Sequence, residues 1–175
     1  ITKTNEHRRM YMLQEAQVEY LIHEIDKKKR AVIRRKIKAG HPLISTLREK
    51  EHPGLILFSS GSTGKRKAIL HDLVPLLNKY TKPRRSKRIL TFLLFDHIGG
   101  LNTLFYTLSN TGCIITLPTR SPRDICRMIE KHKVQILPTS PTFLNLLLIS
   151  HECERYDLSS LEVITYGTEV MPETT

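Results

Sequence analysis

Between Phe58 and Ala68 the chain reads Phe-Ser-Ser-Gly-Ser-Thr-Gly-Lys-Arg-Lys-Ala. Hydroxyls, glycines and cations crowd into one short segment, and the chemistry that needs this mixture is the holding of phosphate. Glycine lets the backbone turn until amide N–H groups converge on an anion. Serine and threonine add hydroxyl donors, and lysine adds charge. The candidate phosphate-binding residues are therefore Ser59, Ser60, Gly61, Ser62, Thr63, Gly64, Lys65 and Lys67. The competing reading is a solvated, flexible Ser/Gly turn.

The segment is not the phosphate loop of P-loop NTPases. That pattern places four residues between its glycines and a Ser or Thr after the Lys. Here only Ser62 and Thr63 separate Gly61 from Gly64, and Arg66 follows Lys65. No Gly-x-Gly-x-x-Gly dinucleotide fingerprint occurs either.

The elements around the segment have to position it. The apolar run Leu55–Phe58 precedes it as a strand, and residues 72–80 follow as a helix with Pro75 near its start. Residues 89–95, 113–117, 134–137 and 161–166 are further strand candidates. Helices alternate with them, one carrying Leu101, Leu104, Phe105 and Leu108 at helical spacing. Ser121-Pro122 and Ser140-Pro141 each place an N-cap serine before a proline at the first helical position. Strict alternation predicts an α/β fold, a mostly parallel sheet flanked by helices. In such a sheet ligands gather beyond the carboxyl ends of the strands. The phosphate segment, His97, Thr139-Ser140 and Gly167-Thr168-Glu169 all follow strand candidates, so the candidate chemistry is expected at one end of the sheet.

The segment around Gly61 resembles the signature of adenylate-forming (AMP-binding) enzymes, which reads roughly aromatic-Thr-Ser-Gly-Ser/Thr-Thr-Gly-x-Pro-Lys-Gly/Ala. Arg66 stands where that signature has Pro, which removes a rigid turn residue and adds charge. Three further segments are similar to the family in the right order. They are Phe95-Asp-His-Ile-Gly-Gly-Leu101, Leu137-Pro-Thr-Ser-Pro-Thr-Phe143, and Leu158 to Pro172 with Tyr166-Gly-Thr-Glu169 inside it. Four ordered segments over roughly residues 54–173 make the resemblance specific.

The resemblance implies part of an acyl-CoA-synthetase-like N-terminal domain. The activity implied is ATP-dependent activation of a carboxylic acid, fatty or other acyl, to an acyl-adenylate. Transfer to a thiol follows, with coenzyme A or a carrier protein as acceptor. Ser60 and Thr63 would donate to the β- and γ-phosphates of ATP. His97 would line the carboxylate and acyl side as the catalytic candidate; its other reading is a helix-start or packed histidine. Gly167, Thr168 and Glu169 would neighbour adenine and ribose, with Glu169 as a magnesium ligand in the alternative. No metal ligand is otherwise assigned, and the Mg2+ ligand is expected outside these residues. In the family the Tyr-Gly-x-Thr-Glu motif, a ribose-binding Asp and a catalytic Lys lie beyond the position of Thr175. These residues alone are therefore expected to show little or no adenylating activity.

Composition sets the remaining bounds. The chain has 175 residues and a net charge of +11. Residues 1–50 hold 13 Lys/Arg against 6 Asp/Glu, so the excess lies mainly outside the motifs. The composition shift divides the chain into a connecting basic segment, 1–52, and an α/β nucleotide-binding part, 53–175. A non-enzymatic module that grips a polyanion or nucleic acid through residues 27–38 and 82–88 is the alternative function. Nucleic acid is not expected, because residues 27–38 lack aromatic interleaving for base stacking. Cys113, Cys126 and Cys153 form no Cys-x-x-Cys, which argues against a zinc site or disulfide framework and makes cytoplasmic location the default. Cys113 and Cys126 are expected to be buried or inert. No run of about 18 apolar residues occurs, so no membrane span is expected.

Overall fold

The computed structural model describes residues 3–26, 29–59, 66–167 and 169–171. Two compact units divide the chain, Ile1–Asn78 and Lys79–Thr175. Among the described residues no helix is long and apolar enough to cross a membrane.

The first unit contains α1 (Lys3–Glu15), β1 (Tyr20–Asp26), β2 (Lys29–Arg34), α2 (Pro42–Glu49), β3 (Gly54–Ser59), β4 (Lys67–Asp72) and α3 (Leu73–Asn78). Its first 52 residues, read from sequence as a connection, are thus largely helix and hairpin. The basic run 29–34 is the second strand of an antiparallel pair with β1. His41 and Pro42 open α2 as its N-cap and first helical residue. Proline is tolerated at the first helical position, where its missing N–H has no partner to lose, and His41 Nδ1 accepts from Leu43 N at 3.2 Å. The Glu19 carboxylate ties the unit together by accepting from Ala39 N (2.9 Å) and from the Arg48 guanidinium (3.1 Å). The Ala39 amide, then Arg48, hold its carboxyl below the usual range.

β3 does not belong to the parallel sheet. It pairs antiparallel with β4, in register from Gly54 opposite Asp72 to Ser59 opposite Lys67. The reason lies in chain length. A parallel partner needs a crossover of about a dozen residues, and only positions 60–66 separate the two strands. The expected phosphate segment is therefore the link of a hairpin closed by the Ser59–Lys67 pair.

At the other end of this hairpin His52 Nδ1 lies 2.8 Å from Asp72 Oδ2, while Asp72 Oδ1 accepts from Val74 N at 3.0 Å and caps α3. The bond to His52, joined by the Val74 amide, holds the Asp72 carboxyl below its usual range. A depressed carboxylate contributes stability above its unfolded pKa and loses it as pH falls through the folded value. Asp72→Asn is accordingly expected to lower the denaturation midpoint at neutral pH, with the gap to wild type closing below about pH 4. A gap that persists undiminished to about pH 2 would contradict this.

The second unit is a four-stranded sheet in the order β6-β5-β7-β8, all neighbours parallel. Its strands are β5 (Arg88–Leu90), β6 (Cys113–Ile115), β7 (Ile136–Thr139) and β8 (Val163–Tyr166). Its helices are α4 (Ile98–Ser109), α5 (Pro122–His132) and α6 (Pro141–Ile149), each a crossover between successive strands. This is the expected α/β arrangement. The serine caps also form as expected: Ser121 Oγ accepts from Asp124 N (3.1 Å) and Ser140 Oγ from Phe143 N (3.3 Å). The strands are shorter than the apolar runs suggested. β5 ends at Leu90, and Leu93 and Leu94 beyond it wall a cleft.

One core joins the sheet to its helices, built from Leu90, Ile115, Ile125, Cys126, Ile129, Val134, Leu137, Phe143 and Leu147. Phe92 packs on it with its ring centroid 4.6 Å from that of Phe143. Cys126 is buried as expected, and burial pushes its thiol up to about 11, which leaves it inert as a nucleophile. Cys113 is exposed, against expectation, as the first residue of an edge strand.

Candidate functional site

The hairpin of the first unit presents Ser59, half-buried at the end of β3, opposite the exposed Lys67 at the start of β4. Ser60, Gly61, Ser62, Thr63, Gly64 and Lys65 lie outside the described residues. The return of the chain is held by α1, whose Tyr11 hydroxyl donates to the Arg66 carbonyl at 3.2 Å. Nothing in the sequence signals that contact, because the two residues are 55 positions apart.

In the second unit the helix beginnings gather at the carboxyl ends of the strands. Each of α4, α5 and α6 starts shortly after a strand ends, so their free N–H groups and positive dipole ends share one side of the sheet. The chain after β5 leads to β6 on one flank, and the chain after β7 leads to β8 on the other. β5 and β7 are neighbours, so the switch point lies between their carboxyl ends, where open α/β sheets hold ligands.

His97 stands at this end as the N-cap of α4, exposed, with Nδ1 accepting from Gly99 N at 3.1 Å. An accepting Nδ1 fixes the proton of the neutral ring on Nε2. The ring thus has one N–H left to donate. Gly100, one turn into the helix, is buried against backbone. A Cβ there would lie 2.0 Å from the Leu94 carbonyl oxygen. The glycine pair of this segment therefore serves helix packing at Gly100.

Beyond β5 and β6 lies a cleft of about 330 Å³. Leu93, Leu94 and Phe95 wall one side, and residues 116–120, with Leu117 and Arg120, the other. Thr91 at its base donates to the Ile115 carbonyl at 3.0 Å. At the rim Asp124 accepts from the Thr119 hydroxyl and from Ser121 (3.1 Å) and pairs with Arg127 at 2.8 Å. The Thr119 bond, then Ser121 and the arginines, keep its carboxyl below the usual range.

At the ends of β7 and β8, Gly167 is exposed, and a Cβ on it would meet nothing within 4 Å. Thr168 lies outside the described residues. Glu169 reaches back to α6, where its Oε2 accepts from Thr142 N at 3.2 Å and from the Thr142 hydroxyl. A carboxylate at a helix N-terminus is favourable, and the contact fastens the chain after β8 onto α6. Among the described residues no group of three His, Cys, Asp or Glu is arranged to hold a metal ion.

Thr139, the last residue of β7, is 1% exposed, and among the described residues its Oγ1 has no hydrogen-bond partner. Its position was legible in the sequence; its lack of a partner was not. An orphaned buried hydroxyl costs about 1–3 kcal/mol, and an apolar group of the same shape avoids that cost. Thr139→Val is therefore expected to raise stability by about 1 kcal/mol in urea denaturation. A loss of stability would show that the hydroxyl is bonded.

Compared with known proteins, residues 2–175 match the AMP-binding enzyme family. An acetyl-coenzyme A synthetase of Pasteurella multocida is 34% identical over 137 residues, covering 70% of this chain and 21% of its own length. An indoleacetate–CoA ligase of Aromatoleum aromaticum is 31% identical over 128 residues, covering 69% of this chain and 25% of its own. Among solved structures, the luciferase-like enzyme of the mealworm Zophobas morio superposes with a TM-score of 0.58 at 28% identity. That match covers 68% of this chain and 29% of the other. The chain thus spans about a fifth to a quarter of the length of the curated relatives it matches.

Proposed function

Because the chain belongs to the AMP-binding enzyme family, we propose that it carries the phosphate-gripping segment and part of the acyl and adenine site of an ATP-dependent, carboxylic-acid-activating ligase. The observation that carries the reading is the hydroxyl- and glycine-rich link of the β3–β4 hairpin, with Ser59 and Lys67 paired at its mouth.

In this reading an acid carboxylate attacks the α-phosphorus of ATP. The bond to the β-phosphate oxygen breaks, and acyl-adenylate and pyrophosphate form. Negative charge grows on the departing pyrophosphate, and hydroxyl and amide donors set in advance stabilise it without any covalent role for the protein. Ser60, Ser62 and Thr63 supply hydroxyls, the backbone at Gly61 and Gly64 supplies N–H groups, and Lys65 and Lys67 supply charge. The nucleoside end lies along Gly167, Thr168 and Glu169; the open face of Gly167 suits the close approach of a flat ring. The acid's carbon skeleton occupies the apolar cleft of Leu93, Leu94 and Phe95, with His97 offering its Nε2–H to the carboxylate. A thiol then takes the acyl group and releases AMP. Coenzyme A is the acceptor favoured by the names of the relatives, and a carrier-protein thiol is chemically equivalent. Magnesium, when bound, would neutralise phosphate charge; its ligands are read as lying outside these residues, with Glu169 as the alternative.

The test is acid-dependent exchange of labelled pyrophosphate into ATP by an enzyme of the relatives' length carrying this segment. Exchange that requires both ATP and a carboxylic acid supports the reading. ATP hydrolysis with no dependence on any acid overturns it.

A further inference from the structure

From the end of α3 to the first residue of β5 the chain carries Lys79, Lys82, Arg84, Arg85, Lys87 and Arg88 within ten residues and no carboxylate. Part of this charge is satisfied internally. Lys87 pairs with Glu162, whose carboxyl also feels Arg85, and Arg88 Nε donates to the His132 carbonyl. The rest surrounds a concavity. Lys79, Lys82 and Arg84 line a pocket of about 320 Å³ with Tyr80, Asn102 and Asn110. No acidic residue lines it, and among the described residues none of its three cations pairs with a carboxylate.

The pocket is built rather than incidental. Asn110 is buried; its Oδ1 accepts from Arg84 N at 2.5 Å and its Nδ2 donates to the Tyr106 carbonyl at 2.8 Å, which fixes the basic chain to the end of α4. Asn102 Oδ1 accepts from both Lys79 Nζ and the Tyr80 hydroxyl, each at 2.7 Å. Lys79 also sits 4.9 Å from the Tyr80 ring centroid. Gathering three like charges around a hollow raises the local potential, and an anion inside relieves it. The pocket adjoins the start of β5 and the end of α4, so it lies at the amino end of the parallel sheet, away from the switch point.

We propose that this pocket is a second anion site, which takes the phosphate group of a small phosphate ester or diphosphate, either free or as a lipid headgroup. The concave shape and small volume favour a compact phosphate over the backbone of a nucleic acid, which needs a continuous basic track.

The experiment follows the backbone amide resonances of Arg84, Asn102 and Asn110 in the full chain during titration with inorganic pyrophosphate at low salt. Saturable shifts are expected. They weaken about tenfold in Lys82→Gln/Arg84→Gln, recover in Lys82→Arg, and persist in Thr63→Ala. That persistence separates this site from the hairpin link, so failure of the ligase reading would leave these shifts in place. Flotation with phosphatidylcholine vesicles containing phosphatidic acid distinguishes the sources. Retention that pyrophosphate competes away assigns a headgroup; shifts without retention assign a soluble ester. Absent shifts, shifts unchanged in the double variant, vesicle binding without pyrophosphate shifts, or tighter binding to a random oligonucleotide than to pyrophosphate would each overturn the proposal.

Discussion

Replacing Gly100 with alanine is expected to destabilise the fold by about 2–4 kcal/mol, a large fraction of what a small unit possesses. Two effects compete. Alanine is the better helix former by about 1 kcal/mol, which favours the variant. Against this, the new Cβ would lie 2.0 Å from the Leu94 carbonyl oxygen, 2.5 Å from the Leu94 carbonyl carbon and 2.9 Å from the Leu93 carbonyl oxygen. All three are backbone atoms with no rotamer to yield, so either α4 lifts or residues 93–94 move. Steric overlap of this depth outweighs the propensity gain. Residues 93–95 also wall the cleft, so the variant should deform it as well. Gly167→Ala is the matched control, with open space around its added methyl. Urea denaturation of the two variants reads the difference directly, and an unchanged midpoint for Gly100→Ala would contradict the packing argument.

Replacing Thr63 with alanine is expected to lower acid-dependent pyrophosphate exchange by about a hundredfold while leaving the unfolding free energy within about 0.5 kcal/mol of wild type. One preset donor aimed at growing charge is worth about 3 kcal/mol of barrier. A hydroxyl without such a role is worth little when removed. The loss should appear in kcat as well as in the apparent ATP affinity, because the charge develops in the transition state. Exchange at the wild-type rate would move the phosphate grip to other residues of the link.

The elements most legible in the sequence were those written in local chemistry. Ser121-Pro122 and Ser140-Pro141 specify helix starts within a few residues, and the structure has both caps. The alternation of strands and helices after residue 88 follows from apolar runs punctuated by those caps. Pairing across distance was harder to read. β3 looks like any buried strand, and its antiparallel partner is disclosed only by the length of the link, too short for a crossover. The β1–β2 hairpin was hidden because β2, Lys-Arg-Ala-Val-Ile-Arg, carries charge where a buried strand would alternate. In the site, the residue types of the phosphate segment announce their chemistry, whereas Thr142 meeting Glu169 across 27 positions and the unpartnered Thr139 exist only in three dimensions.

The central claim is that the link between β3 and β4 grips a nucleotide's polyphosphate. Residue-resolved hydrogen exchange of the protein with and without ATP tests it most directly. Slowed exchange that includes the amides of residues 59–67, is reproduced there by pyrophosphate alone and is lost there in Thr63→Ala, is the predicted result. Protection that appears elsewhere while residues 59–67 exchange at an unchanged rate would contradict it.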